Sequence, residues 1–232
     1  MKKNSWKEVW LKKGQQTEKL AHQMDGWDHL SIEQFHEFQK RNFSPLLNVI
    51  NSFNNVLEMG CGAGGALNFL HCNFPNLELN GFDYVDTLIN ACRQNLPGNF
   101  WVGDAEETPW KTQHNSYDFV FNVGTLLYLC NEEAAAKAVN SMLDLSKSGK
   151  VLIADVSDLD RRDLALELRK KTHDSSNKVV KQQLDHLYLP KNFFSKIAAD
   201  RGYRVNFFDQ KDICLFEWNL SAAYRFNVVF EK

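Results

Sequence analysis

From Asn55 onward, short apolar runs of strand length alternate with longer stretches of helical character. The runs are VLEM (56–59), LELNGFD (77–83), NFWVGD (99–104), YDFVFNV (117–123) and KVLIADV (150–156). Helices are expected between them over 63–72, 85–95 and 132–146. The last of these opens after Asn131, a good N-cap residue, with Glu132 and Glu133 at the positive end of the helix dipole. Strands and helices in this alternation predict an α/β fold: a doubly wound, largely parallel sheet with helices on both faces.

Beyond Lys191 the rhythm changes. A helix is expected near 192–201 with Gly202 as its stop, followed by YRVNFFDQ (203–210) and a terminal YRFNVVFE (224–231), with few residues for a helix between them. Two strands joined that way are more naturally antiparallel than parallel. The first fifty residues read as helices. Trp6 and Trp10 lie one turn apart, and Ile32, Phe35 and Phe38 make a second apolar face. Residues 1–52 are therefore expected to form a helical cap on one domain spanning 53–232. A charge-rich helix and loop, about 158–190 and including THDSSN, is expected as an insertion into that domain.

Composition narrows the class. The chain has 232 residues, 44% of them hydrophobic and 24% charged, which suits one ordinary globular domain with a continuous core. Its 27 basic and 29 acidic residues give no electrostatic reason to expect a duplex nucleic acid or an anionic membrane as partner. Five widely spaced cysteines without a C-x-x-C pair argue against a disulfide framework and a zinc site, so a reducing cytoplasm is the expected home and no metal is expected. The N-terminal lysines precede no apolar stretch, and no run approaches the ~20 apolar residues of a membrane span.

The chemistry centres on NVLEMGCGAGGALNFL (55–70), with G-x-G-x-x-G at Gly60, Gly62 and Gly65. Glycines between a strand and a helix let a ligand approach the backbone closely. A dinucleotide would place its pyrophosphate on the helix N-terminus and its ribose on an acid ~20 residues on, here Asp83. S-Adenosylmethionine shares the adenosine but carries a sulfonium and an ammonium, so its site suits carboxylates where a phosphate site avoids them. Glu58 lies two residues before Gly60, and Asp104 ends the third strand. Three carboxylates at the ends of three successive strands favour the cationic ligand. The Tyr-x-x-x-Lys pair of short-chain dehydrogenases is absent.

VLEMGCGAGG, GFDYVD, GDAEETPW and YDFVFNVGTLLYL, in that order and spacing, resemble the successive motifs of class I S-adenosylmethionine-dependent methyltransferases over about Phe53 to Val156. The terminal YRFNVVFEK resembles that fold's last strand. The resemblance implies a seven-stranded Rossmann-like sheet with the last strand antiparallel, and S-adenosylmethionine lying across the strand ends, with S-adenosylhomocysteine as product. By motif position it implies that Glu58, Gly60 and Gly62 flank the methionine moiety, that Cys61 also belongs to the cofactor site, and that Asp83 binds the ribose hydroxyls. Tyr84 would border the adenine, Asp104 and Ala105 bind its polar edge, and Asn122 lie near the amino group. Gly64-Gly65 makes the helix start more glycine-rich than usual.

For catalysis the residues singled out are His186, in HLYLPKNFF, and Tyr128, after the fourth strand. Asp155 faces the same side. The expected activity is methyl transfer to a small metabolite or sugar-like acceptor by a monomer or homodimer. The alternatives are a cofactor-binding protein of this fold without catalysis, and a methyltransferase acting on RNA or protein.

Overall fold

The computed structural model describes residues 6–15, 19–172, 185–214 and 216–232. The chain opens with four short helices: α1 (Trp6–Lys13), α2 (Ala21–Met24), α3 (Ile32–Asn42) and α4 (Leu47–Ile50). Helix α3 starts where a capping box forms. The Ser31 hydroxyl accepts the Gln34 N–H at 3.2 Å, and the Gln34 side chain accepts the Ser31 N–H at 2.9 Å.

The alternating part then runs β1 (Asn55–Met59), α5 (Gly65–Asn73), β2 (Glu78–Asp83), α6 (Asp86–Asn95), β3 (Asn99–Val102), β4 (Phe119–Val123), α7 (Glu132–Leu145), β5 (Val151–Ser157) and α8 (Arg162–Thr172). It closes with α9 (Lys191–Arg201), β6 (Arg204–Asp209), α10 (Gln210–Ile213) and β7 (Arg225–Glu231). The seven strands form one sheet in the order β3-β2-β1-β4-β5-β7-β6. Pairs among β1 to β5 are parallel, and β7 lies antiparallel between β5 and β6. The strand order reverses at β1, between β2 and β4, which is the place where ligands enter open α/β sheets.

Because the sheet is covered on both faces, its central strands are almost wholly buried and mostly apolar, with Glu58, Asn122, Asp155 and Ser157 as buried polar exceptions toward their carboxyl ends. On β4, Phe119 and Phe121 point to a core shared with α4, α5 and α6, while Val120 points to one shared with α7 and α9. Asn131 caps α7 as expected, its side chain accepting the Ala134 N–H at 2.9 Å.

Several boundaries differ from the sequence expectation. Helix α5 begins at Gly65 instead of residue 63, because Gly62 and Gly64 sit at φ of 55° and 90° and hold the chain out of helical geometry. Tyr117 stands outside β4 and bridges Ser146. The link between β6 and β7 holds the four-residue α10 and a 3₁₀ turn (Leu220–Tyr224), yet the two strands are antiparallel as expected. Helix α8 falls within the expected insertion, whose 173–184 stretch, with most of THDSSN, lies outside the described residues. Among the described residues no helix is long and apolar enough to cross a membrane.

Candidate active site

The carboxyl ends of β1 to β5 open into a cavity of about 750 Å³. Helix α1, residues around Asp25 to His29, part of α8 and the 217–225 segment close over it. Of the residues singled out from sequence, Glu58, Gly60, Cys61, Gly62, Asp83, Tyr84, Asp104, Ala105 and Tyr128 line its wall. The described wall does not include Asn122 or His186.

The glycine turn has no N–H to spare. Gly60 and Cys61 both donate to the Phe82 carbonyl, at 2.8 and 3.0 Å, and Gly64 donates to the Cys61 carbonyl at 2.9 Å. Gly62 donates to Asp83 at 3.1 Å. Ala63 and Gly65 donate to the two carboxylate oxygens of Asp25, at 2.6 and 2.8 Å. Asp25 thus occupies the N-terminus of α5, whose own N-cap residue is Gly64 with no side chain to serve. A pyrophosphate needs those same N–H groups, so the turn does not suit a dinucleotide. The close approach also explains two glycines: a Cβ at Gly65 would stand 2.8 Å from an Asp25 oxygen, and one at Gly62 would collide with the other.

Three carboxylates gather behind this turn. Glu58 is 2% exposed, and its Oε2 has no hydrogen-bond partner. Burial, with the Asp25 charge next in weight, raises its pKa well above the usual carboxylate range. Burial likewise lifts Asp25 to about 7 against its two backbone hydrogen bonds. Asp83 is pushed up to about 6 by burial, while N–H donors from Val85 and Gly62 work the other way. A site that crowds acids out of water and leaves one oxygen unpartnered fits a cation. Cys61 stands beside them as a neutral thiol, its pKa raised by burial.

Asp104 accepts the Glu106 N–H at 2.9 Å and pairs with Lys7 of α1 at 2.5 Å. The same ammonium lies 5.9 Å from the Tyr84 ring centre. Helix α1 is thereby tied over the end of β3, next to Ala105.

The far half of the cavity is bounded by the ends of β4 and β5, with Trp27, Trp218, Tyr128 and Tyr224 among its walls. Asp155 ends up there through a bulge in β5 and holds φ at 66°, left-handed geometry uncommon for a residue other than glycine. Its buried carboxylate pairs with Arg225 of β7. Asp155 Oδ1 and Arg225 Nε have no partner. Burial pushes the Tyr128 hydroxyl up to about 12.

Two expectations meet a different geometry. Asn122 is fully buried, and its amide donates to the Met59 carbonyl at 3.0 Å, tying β4 to β1 behind the turn. Its place on the wall is taken by Val123, Gly124 and Thr125. His186 packs against Trp6 and Tyr128, with ring centres 5.0 and 5.5 Å apart, so it stands behind Tyr128. Sequence reasoning missed Asp25, Lys7, Thr125 and Arg225. The one signal for Asp25 was the surplus of glycines at 62–65, which marked a close approach without saying by what.

Residues 56–149 match the family model described as a methyltransferase domain. The trans-aconitate 2-methyltransferase of Yersinia pestis (strain Pestoides F) is 32% identical over 90 residues, 38% of this chain and 34% of that protein. The fatty-acid O-methyltransferase of Mycolicibacterium smegmatis is 38% identical over 71 residues, 29% of this chain and 25% of that protein. The match thus spans about a third or less of these relatives' lengths. Among solved structures, the plantazolicin methyltransferase BpumL in complex with S-adenosylhomocysteine superposes with a TM-score of 0.66 at 14% identity, covering 97% of this chain and 95% of that one. The magnesium protoporphyrin IX methyltransferase ChlM from Synechocystis PCC 6803 with bound S-adenosylmethionine gives 0.53 at 12% identity, covering 84% and 78%. At such identities the structural likeness establishes the fold. Residues 56–149 are thus similar to a methyltransferase domain, and the seven-stranded sheet around them has the class I methyltransferase fold.

Proposed function

We propose that this chain is an S-adenosylmethionine-dependent methyltransferase acting on a small molecule, with residues 1–52 and the segment around 158–190 as a cap over the acceptor. The observation that carries this reading is Glu58: a buried carboxylate with an unpartnered oxygen, beside a glycine turn whose N–H groups are all engaged. Such a turn accommodates a cationic nucleoside and offers nothing to a phosphate. When bound, the cofactor supplies a methyl group on a positively charged sulfur.

The chain's own residues bind, orient and exclude water. Glu58 faces the positive end of the cofactor, Asp83 the ribose, Tyr84 the adenine face, and Asp104 with Ala105 its polar edge. Cys61 and the glycines let that ligand lie against the backbone. Alignment of acceptor and methyl group in a closed cavity is the main contribution, and positioning of this kind lowers a barrier by several kcal/mol. Tyr128, like any tyrosine, keeps its proton at neutral pH, and burial pushes its pKa further up, so we assign it to hydrogen-bond donation toward the acceptor. His186 supports Tyr128 from behind.

A cavity of about 750 Å³ lies within the roughly 300–1,000 Å³ range of small-molecule sites. The chain also has a formal net charge of −2, which offers no attraction to nucleic acid. The relatives named for trans-aconitate and for fatty acids support the same acceptor class. The five cysteines, all free, support a reducing cytoplasm as the place of work.

Tritium-labelled S-adenosylmethionine, offered with low-mass carboxylic acids, phenols and amines and separately with RNA and protein, tests this reading. Label is expected in the low-mass fraction. Label confined to macromolecules would overturn the acceptor class, and cofactor binding with label in neither would make the chain a binding protein.

A further inference from the structure

The six consecutive N–H groups from Gly60 to Gly65 all have partners within the protein. An amino-acid group brought to this turn therefore meets side chains instead of backbone donors. Two acidic side chains are placed for it. Glu58 lies at the end of β1, and Asp25 arrives from the N-terminal cap, 33 positions earlier in the chain. Asp25 carries the largest charge influence on Glu58. Each Asp25 oxygen accepts one N–H from the turn and retains a further lone pair. Glu58 Oε2, in a side chain only 2% exposed, has no partner and lies on the cavity wall.

The charged groups around Asp25 do not neutralise this pair. Asp83 from β2 bears on both members as a further acid. Lys13, at the end of α1, acts on Asp25 through space but bonds Asp28 at 3.1 Å. His22 of α2, on the same side, places its Nε2 at 3.0 Å from the Leu30 carbonyl.

Resting on the reading that the cavity holds S-adenosylmethionine, we propose that Asp25 and Glu58 together receive the α-ammonium of the cofactor's amino-acid end, so that the N-terminal cap supplies part of the cofactor site. The same Asp25 carboxylate fastens the cap to the start of α5. Cofactor binding and docking of the cap are then one event: an ammonium between two acids favours their ionised forms and holds Asp25 against the turn. The Asp25 charge is needed for this, whereas a plain helix cap needs only hydrogen-bond acceptors, of which asparagine keeps one of the two.

Calorimetry with two ligands separates these roles. S-Adenosylhomocysteine carries the ammonium, and 5′-methylthioadenosine carries the adenosine and thioether without the amino-acid end. Asp25→Asn is expected to weaken S-adenosylhomocysteine at least tenfold and to leave 5′-methylthioadenosine within twofold of its wild-type affinity. Equal loss for both ligands, or no loss for either, would overturn the proposal. Should the variant not fold, wild-type protein with S-adenosylhomocysteine and its deaminated analogue decides. The preference for the amine is expected to grow at least fivefold from pH 5.5 to pH 8, and a preference independent of pH would overturn the proposal. Wild-type protein that binds none of these ligands would instead overturn the cofactor reading itself.

Discussion

At the scale of single residues, the acids at the turn set a pH dependence whose sign is fixed. Asp25 and Asp83 have pKa values raised from 3.8 to about 7 and about 6, each chiefly by burial. A raised carboxyl contributes stability that is fully present below the unfolded pKa and is lost as pH rises through the folded one. The ligand-free protein should therefore lose melting temperature from these groups between about pH 4 and pH 7. Asp25→Asn should flatten that decline, which a thermal melt series will show, and an unchanged slope would contradict it. Asp83→Ala is expected to lower affinity for S-adenosylhomocysteine tenfold or more while the circular dichroism spectrum stays native. Unchanged affinity would mean that the ribose contact is misassigned. Glu58, Asp83 and Asp104 could be placed at the cavity from the sequence because each lies within two residues of a strand's carboxyl end, and a parallel sheet delivers those ends to one edge. Asp25 and Arg225 were not, because each reaches the cavity from a segment far away in sequence whose docking depends on tertiary packing.

Helix α1 shows what an isolated element can and cannot announce. Its tryptophans suggested packing against the domain, and the structure sets Trp6 and Trp10 against Tyr128 with ring centres 4.9 and 5.2 Å apart. Nothing in WKEVWLKK indicates that Lys7 pairs with Asp104, since that contact spans 97 positions. Such pairs contribute roughly 0–1 kcal/mol, so α1 is held mainly by its aromatic contacts and by the Trp6 indole N–H, which donates to the Asp185 carbonyl at 2.9 Å. On adding S-adenosylhomocysteine, the amides of 6–14 and of α8 are expected to exchange more slowly with solvent. No change in either segment would count against a closing cap. The strands were easier to read than the helix starts. A buried strand is a run of apolar side chains, whereas the beginning of α5 is decided by backbone angles at Gly62 and Gly64.

Across the whole molecule, the cap and the sheet share a buried amide network. Gln210 donates to Asn42 and to Asn227 at 3.1 and 2.9 Å, and Asn227 donates to Asn42 at 3.1 Å. Asn227 also accepts the Asp155 N–H at 3.0 Å, so α3 is joined through β7 to the bulged end of β5. Asn227→Ala would strand these partners and should cost on the order of 1–3 kcal/mol or more in urea unfolding. A loss near zero would mean that the network carries no weight. No periodicity flags such a network, because its members lie up to 185 positions apart. The alternation of strands and helices and the antiparallel pairing of the last two strands, by contrast, were visible in the chain, while the place of the last strand within the sheet came only with the resemblance.

The central claim is that this cavity holds a cationic adenosyl cofactor. Isothermal titration of the wild-type protein with S-adenosylhomocysteine tests it most directly. One site per chain is expected, with a dissociation constant in the micromolar range that tightens from pH 5.5 to pH 8 as Asp25 and Asp83 ionise. No heat of binding at millimolar ligand, or tighter binding of NAD than of S-adenosylhomocysteine, would contradict the account.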